Sequence, residues 1–136
     1  MSLDRFLDAQ RDSYATALAE LRAGSKRSHW MWFIFPQSAG LGQSPTARFY
    51  AIRDLDEARA YLAHPLLATR LGDCTDAMLG WAGKRSAEAI LGGIDAVKLR
   101  SSCTLFEVAG DDARFGRCLD AFYAGARDAA TLALLD

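Results

Sequence analysis

The sequence predicts an all-α fold, a single compact domain of about six to eight short helices. Three observations carry that reading. Apolar residues recur at helical spacing through most of the 136 residues. Ser, Asp, Gly and Pro punctuate them where helix caps belong. Strand signals are confined to residues 32–35, which have no second run to pair with. With 51% of residues hydrophobic, a chain of this length buries roughly two-thirds of its unfolded surface and needs no partner to form a core.

The first stripe holds Leu3, Phe6, Leu7, Tyr14, Leu18 and Leu21, and Gly24 supplies its stop. Ser44 and Pro45 read as N-cap and first residue of a short helix through Phe49, Tyr50 and Ile52. Asp54 or Asp56 caps the next, which carries Ala58, Tyr61 and Leu62. His64 and Pro65 start a longer helix with Leu66, Leu67, Leu71, Cys74, Met78 and Trp81 expected inward. Ser86 opens one helical turn that Gly92 and Gly93 must end. Asp95 is expected to cap the following helix, which runs to about Ala109 and is closed by Gly110. Asp111 or Asp112 caps another, with Phe115, Leu119, Phe122 and Tyr123 inward and Gly125 as terminator. Asp128 caps the last, through Leu132 and Leu135.

Charge excludes some functions. The chain has 16 Lys and Arg against 17 Asp and Glu, a formal charge of −1. That is no footprint of a nucleic-acid or anionic-membrane binder. The longest apolar run, 30–36, is far short of the ~20 residues a membrane span needs. Asp4, Asp8 and Asp12 interrupt the start of the chain, where a signal peptide would be apolar. The expectation is a cytoplasmic protein with no nucleic-acid and no membrane partner. Cys74, Cys103 and Cys118 are widely spaced and lie in apolar helical patterns, as buried reduced thiols do. His29 and His64 are the two histidines, too few for a His-rich metal centre. No metal and no cofactor is implied.

One segment refuses the helical grammar: residues 24–44, GSKRSHWMWFIFPQSAGLGQS. No helix can hide Trp30, Met31, Trp32, Phe33, Ile34 and Phe35 on one face. Either the run is buried on all sides, or some of its rings line a cleft. On the second alternative, His29 is a candidate acid or base near neutral pH, and Gln37 offers an amide to a ligand. The loop containing Gly42 runs through Ser44 into a helix N-terminus, which suits phosphate or carboxylate. Lys26 and Arg27 read as solvated. A second unusual segment begins at Asp95, where Ser101 and Thr104 replace expected aliphatics in the row of Ile94, Val97 and Val108. Back-bonding to the carbonyl four residues earlier is one explanation. A site for an anion, built from Lys98, Arg100 and Ser101, is the other.

The strings HWMWFIFPQ, GLGQS, ARAYLAHPLLATRL, GGIDAVKLRSSCTLFEVA and FYAGARDAATLALL resemble a bacterial domain family of unknown function, often auto-labelled "calpastatin". The resemblance spans nearly the whole chain and implies a small all-α fold with no established reaction. Cys103 stands where the family pattern implies Met, which argues against an essential thiol there. The calpastatin label fails on physics, since those inhibitors are long, polar and disordered, unlike a compact half-apolar chain. The order of Trp30, Trp32, Gln37 and Lys98 is also similar to small helical domains that cleave N-glycosidic bonds of ADP-ribose derivatives. That similarity implies a base stacked on Trp30 or Trp32, an exocyclic group held by Gln37, phosphate on Lys98 or Arg100, and His29 as general acid or base.

Two functions follow from these readings. The first is binding of a small anionic or nucleotide-like ligand, of ADP-ribose type, between the 29–44 segment and the 95–109 helix. The alternative is a non-enzymatic protein–protein interaction domain whose aromatic run is core.

Overall fold

In the computed structural model, which describes residues 3–135, the described residues form ten helices and no strand. The all-α expectation holds, with two helices more than the upper count. The first stripe is broken into α1 (Asp4–Arg11) and α2 (Tyr14–Ala23). Asp12 and Ser13 between them keep near-helical dihedrals, so the apolar phase runs on across the break. The aromatic run contributes a single turn, α3 (Met31–Ile34), where an extended stretch was conceivable. Then follow α4 (Pro45–Phe49), α5 (Leu55–Ala63), α6 (Pro65–Leu79), α7 (Ala87–Leu91), α8 (Gly93–Ala109), α9 (Ala113–Tyr123) and α10 (Ala129–Leu135). None is long and apolar enough to cross a membrane.

The caps explain most of these boundaries. Ser44, Asp54 and Ser86 accept hydrogen bonds from the amides of Ala47, Glu57 and Ala89, three residues on. His64 caps α6 through Nδ1, which accepts from the Leu67 amide. Asp112 and Asp128 cap α9 and α10. Gly24 ends α2 in the left-handed region (φ 73°), where a side chain would also strike the Trp81 ring. One expected cap is wrong. Gly92, not Asp95, precedes α8, and Asp95 sits in its first turn, where its carboxylate still favours the positive end of the helix.

α8 is the centre of the molecule. Helices α5, α7, α9 and α10 pack against it, and residues 101–106 are all buried. The polar members of that stretch are partly self-satisfied. Ser101 donates to the Val97 carbonyl (3.2 Å) and Thr104 to the Arg100 carbonyl (2.8 Å). Phe106 joins a row of rings through the interior, packing on Tyr61 and Phe115, while Tyr61 meets Phe6 edge-on. Cys74, Cys103 and Cys118 are free thiols in this core.

Leu99 and Phe106 are fully buried on α8. Each truncation to Ala is expected to cost about 2–5 kcal/mol, read by urea denaturation. A Leu99→Ala protein with the wild-type midpoint would contradict this packing.

Candidate functional site

The aromatic run resolves the choice posed by its sequence by doing both things. Trp30, Met31, Phe33, Ile34 and Phe35 are buried, while Trp32 is half-buried. Glu20 on α2 anchors the start of the run. Its carboxylate accepts from the amides of Arg27 (2.8 Å) and Ser28 (3.0 Å), the Ser28 hydroxyl (2.6 Å) and the Trp30 indole (2.9 Å). Gln10 of α1 anchors the end by donating to the Phe33 carbonyl (2.8 Å), which a one-turn helix leaves unsatisfied. Held at both ends, the run can place one ring outward.

Charge then ties this run to α8. Lys26 Nζ lies 2.9 Å from Asp95 Oδ2, and Lys98 Nζ lies 3.6 Å from Asp95 Oδ1. Each ammonium also sits over an indole, Lys26 at 5.0 Å from the Trp30 ring centre and Lys98 at 5.2 Å from that of Trp32. Lys26 is therefore not solvated as expected; its side chain is 9% exposed. One carboxylate thus bridges two lysines and ties the Lys98 ammonium beside Trp32.

Beside Trp32 and Lys98 opens a cleft of about 470 Å³. Its walls are mainly apolar, from Met31, Phe35, Leu41, Tyr50, Ile94 and Val97. Gln37, Ser38, Lys98, Ser101 and Asp128 supply the polar groups. The far wall is fixed by a bridge between two loops, in which the Ile52 amide donates to Gln37 O and the Ala39 amide to Ile52 O, both at 2.8 Å. Gly42 passes so close to Ala47 that a Cβ there would overlap its methyl group.

Of the residues singled out from sequence, Trp32, Gln37, Gly42, Lys98 and Ser101 come together in this lining. Four others do not. Trp30 is 1% exposed and its indole is bound to Glu20, so it cannot stack on a ligand. His29 is exposed and outside the lining. Ser44 is occupied in capping α4, whose five residues supply little dipole for an anion. Arg100 donates to the carbonyls of Ala126 (2.7 Å) and Arg127 (2.8 Å), clamping the loop before α10. Sequence reasoning missed Ser38, Tyr50 and Asp128 as lining residues. Asp128 had a signal, but its role as a cap absorbed it.

A family model described as "Protein of unknown function (DUF1810)" matches residues 1–135. The chain belongs to this family. It is similar to the conserved hypothetical protein Rv1873 from Mycobacterium tuberculosis, whose crystal structure superposes with a TM-score of 0.94 at 49% sequence identity. That match covers 98% of this chain and 95% of the other. No curated protein matches the chain. Membership agrees with the resemblance to a bacterial family of unknown function and assigns no reaction. Among the described residues, no group of three or more His, Cys, Asp or Glu side chains is placed to hold a metal ion.

The Glu20 anchor predicts a pH dependence. Burial favours the neutral acid, but hydrogen bonds from the Ser28 hydroxyl, the Arg27 amide, the Trp30 indole and the Ser28 amide outweigh it and lower the pKa to about 2. The folded value lies below the unfolded value of ~4.3. The stability from Glu20 is thus present above that value and lost as pH falls towards about 2. Acid titration of thermal stability should show this loss, and Glu20→Gln should abolish its share of it.

Proposed function

We propose that this domain binds a small anionic, nucleotide-like ligand in the cleft between the aromatic segment and α8. The observation that carries the reading is the Lys98 ammonium standing over the Trp32 ring at the wall of a mainly apolar cleft. A flat ring gains dispersion and stacking on the accessible part of the half-buried Trp32 indole. An anionic group on the same ligand gains the ammonium, and partial desolvation strengthens that attraction. A few convergent polar groups in an apolar cleft of several hundred cubic ångströms are the usual composition of small-molecule sites.

The reading concerns binding. Among the described residues, the lining has one carboxylate, Asp128, and no histidine. Cleavage of a glycosidic bond usually needs a second acid–base group beside the first, so His29 has no role in this proposal. Ile94 and Val97 favour the alternative, a protein partner, because they lie on the cleft's lip at 77% and 62% exposure. Those side chains would equally cover the apolar face of a small ligand.

Differential scanning fluorimetry with a panel of nucleotides and sugar phosphates separates the two. A ligand at a hundred times its dissociation constant adds about 2.7 kcal/mol to stability. Trp32→Ala should weaken binding by about 1–3 kcal/mol, the usual worth of one stacked base. Lys98→Ala should weaken it most at low salt, the difference shrinking as the Debye length falls from ~30 Å at 0.01 M to ~3 Å at 1 M. A panel that leaves the melting temperature unmoved would remove the ligand reading and leave the interaction domain.

A further inference from the structure

A cleft offered to an anion gains nothing from a carboxylate on its wall unless that carboxylate has donors of its own to meet. Asp128 is such a carboxylate. Its Oδ2 accepts from the Thr131 amide (3.0 Å) and hydroxyl (2.6 Å). Among the described residues, no cation pairs with it and Oδ1 has no partner. Its position is fixed rather than incidental. The Asp128 amide donates to Thr104 Oγ1 (3.0 Å), and the two preceding carbonyls accept from Arg100. Two α8 side chains therefore aim this loop at the cleft.

The second observation is Ser38. It is 5% exposed, lies on the wall between this cleft and a second pocket beside Ile52 and Arg53, and its hydroxyl has no hydrogen-bond partner among the described residues. A buried hydroxyl left unpaired is costly. Ser102 is also unpaired, but it sits within α8, outside this lining, where rotation brings a carbonyl four residues back within reach. Ser38 lies in a loop and has no such carbonyl. Gln37 beside it adds an amide to the same lining.

We propose that Asp128 and Ser38 recognise the vicinal hydroxyls of a ribose, so that the ligand is a ribonucleotide. This rests on the reading of Trp32 as ring contact and Lys98 as anion contact. A carboxylate oxygen accepts from a hydroxyl donor, and the serine hydroxyl donates to or accepts from the second hydroxyl. Ring, phosphate and diol then each meet a matching group: indole, ammonium, and the Asp128–Ser38 pair. An ammonium-bearing ligand fits less well, since one carboxylate already shared with Thr131 would be its sole counter-charge in the lining.

Calorimetry on the full chain tests this with adenosine 5′-monophosphate, its 2′-deoxy analogue and L-tryptophan. The ribonucleotide should bind about tenfold or more tightly than the deoxynucleotide, the usual worth of a hydrogen bond to a charged group. Asp128→Asn keeps the helix cap, because Asn caps as well as Asp, and should erase that preference. Ser38→Ala should weaken ribonucleotide binding about tenfold while the free protein melts no lower than wild type. Equal affinity for both nucleotides, still sensitive to Trp32→Ala, would overturn the diol assignment and leave the ring-and-anion reading standing. L-tryptophan binding as tightly as the ribonucleotide would also overturn it, in favour of an ammonium at Asp128. Binding of neither nucleotide would overturn both readings together.

Discussion

The burial of α8 on every side through residues 101–106 is the constraint from which the rest of the structure follows. A helix surrounded in this way has no solvent face, so its hydroxyls depend on partners within the protein. Of Ser101, Ser102 and Thr104, only Ser102 lacks one among the described residues. Ser101 and Thr104 turn back to their own helix. It also needs neighbours all round, and α5, α7, α9 and α10 supply them. The wrapping stops near the N-terminal end, where Ile94 and Val97 stay exposed. The cleft lies at that gap, between the uncovered turns of α8 and the aromatic run.

The aromatic run is placed by polar groups as much as by burial. Glu20 and Gln10 take up backbone and indole groups that a one-turn helix leaves open. Asp95 then couples the run to α8 through Lys26 and Lys98. The Lys26 side chain is 9% exposed and that of Asp95 18%, so this pair is screened less than a surface ion pair. Its structural consequence is to hold the Lys98 ammonium near Trp32. Stability and the shape of the cleft thus share the same residues. A change at Asp95 would act on both.

The fold was legible because helix signals are local. The caps at Ser44, Asp54, His64, Ser86, Asp112 and Asp128 need only a side chain and an amide a few residues away. The break between α1 and α2 was not legible, since Asp12 and Ser13 keep near-helical dihedrals and no Gly or Pro marks them. Asp95 was misread as a cap because glycine is a poor helix former; α8 nonetheless begins at Gly93, upstream of it. For the cleft, Trp32, Gln37 and Lys98 stood out by residue type. Trp30 was indistinguishable from Trp32 in sequence, since only the distant Glu20 decides which indole is sealed. Arg100 looked like an anion contact, yet its partners are carbonyls 26 and 27 residues away. Ser38 carried no local signal, its burial depending on the bridge to Ile52.

Of the three tryptophans, Trp32 is the one whose side chain lines the cleft. Trp30 is sealed against Glu20, and the Trp81 indole donates to the Leu21 carbonyl outside the cleft lining. Intrinsic fluorescence tests this directly, by titrating adenosine 5′-monophosphate into wild type and Trp32→Phe. Saturable quenching is expected in wild type and its disappearance in the variant, whose remaining indoles lie outside the cleft lining. Quenching of the same size in Trp32→Phe would contradict that expectation.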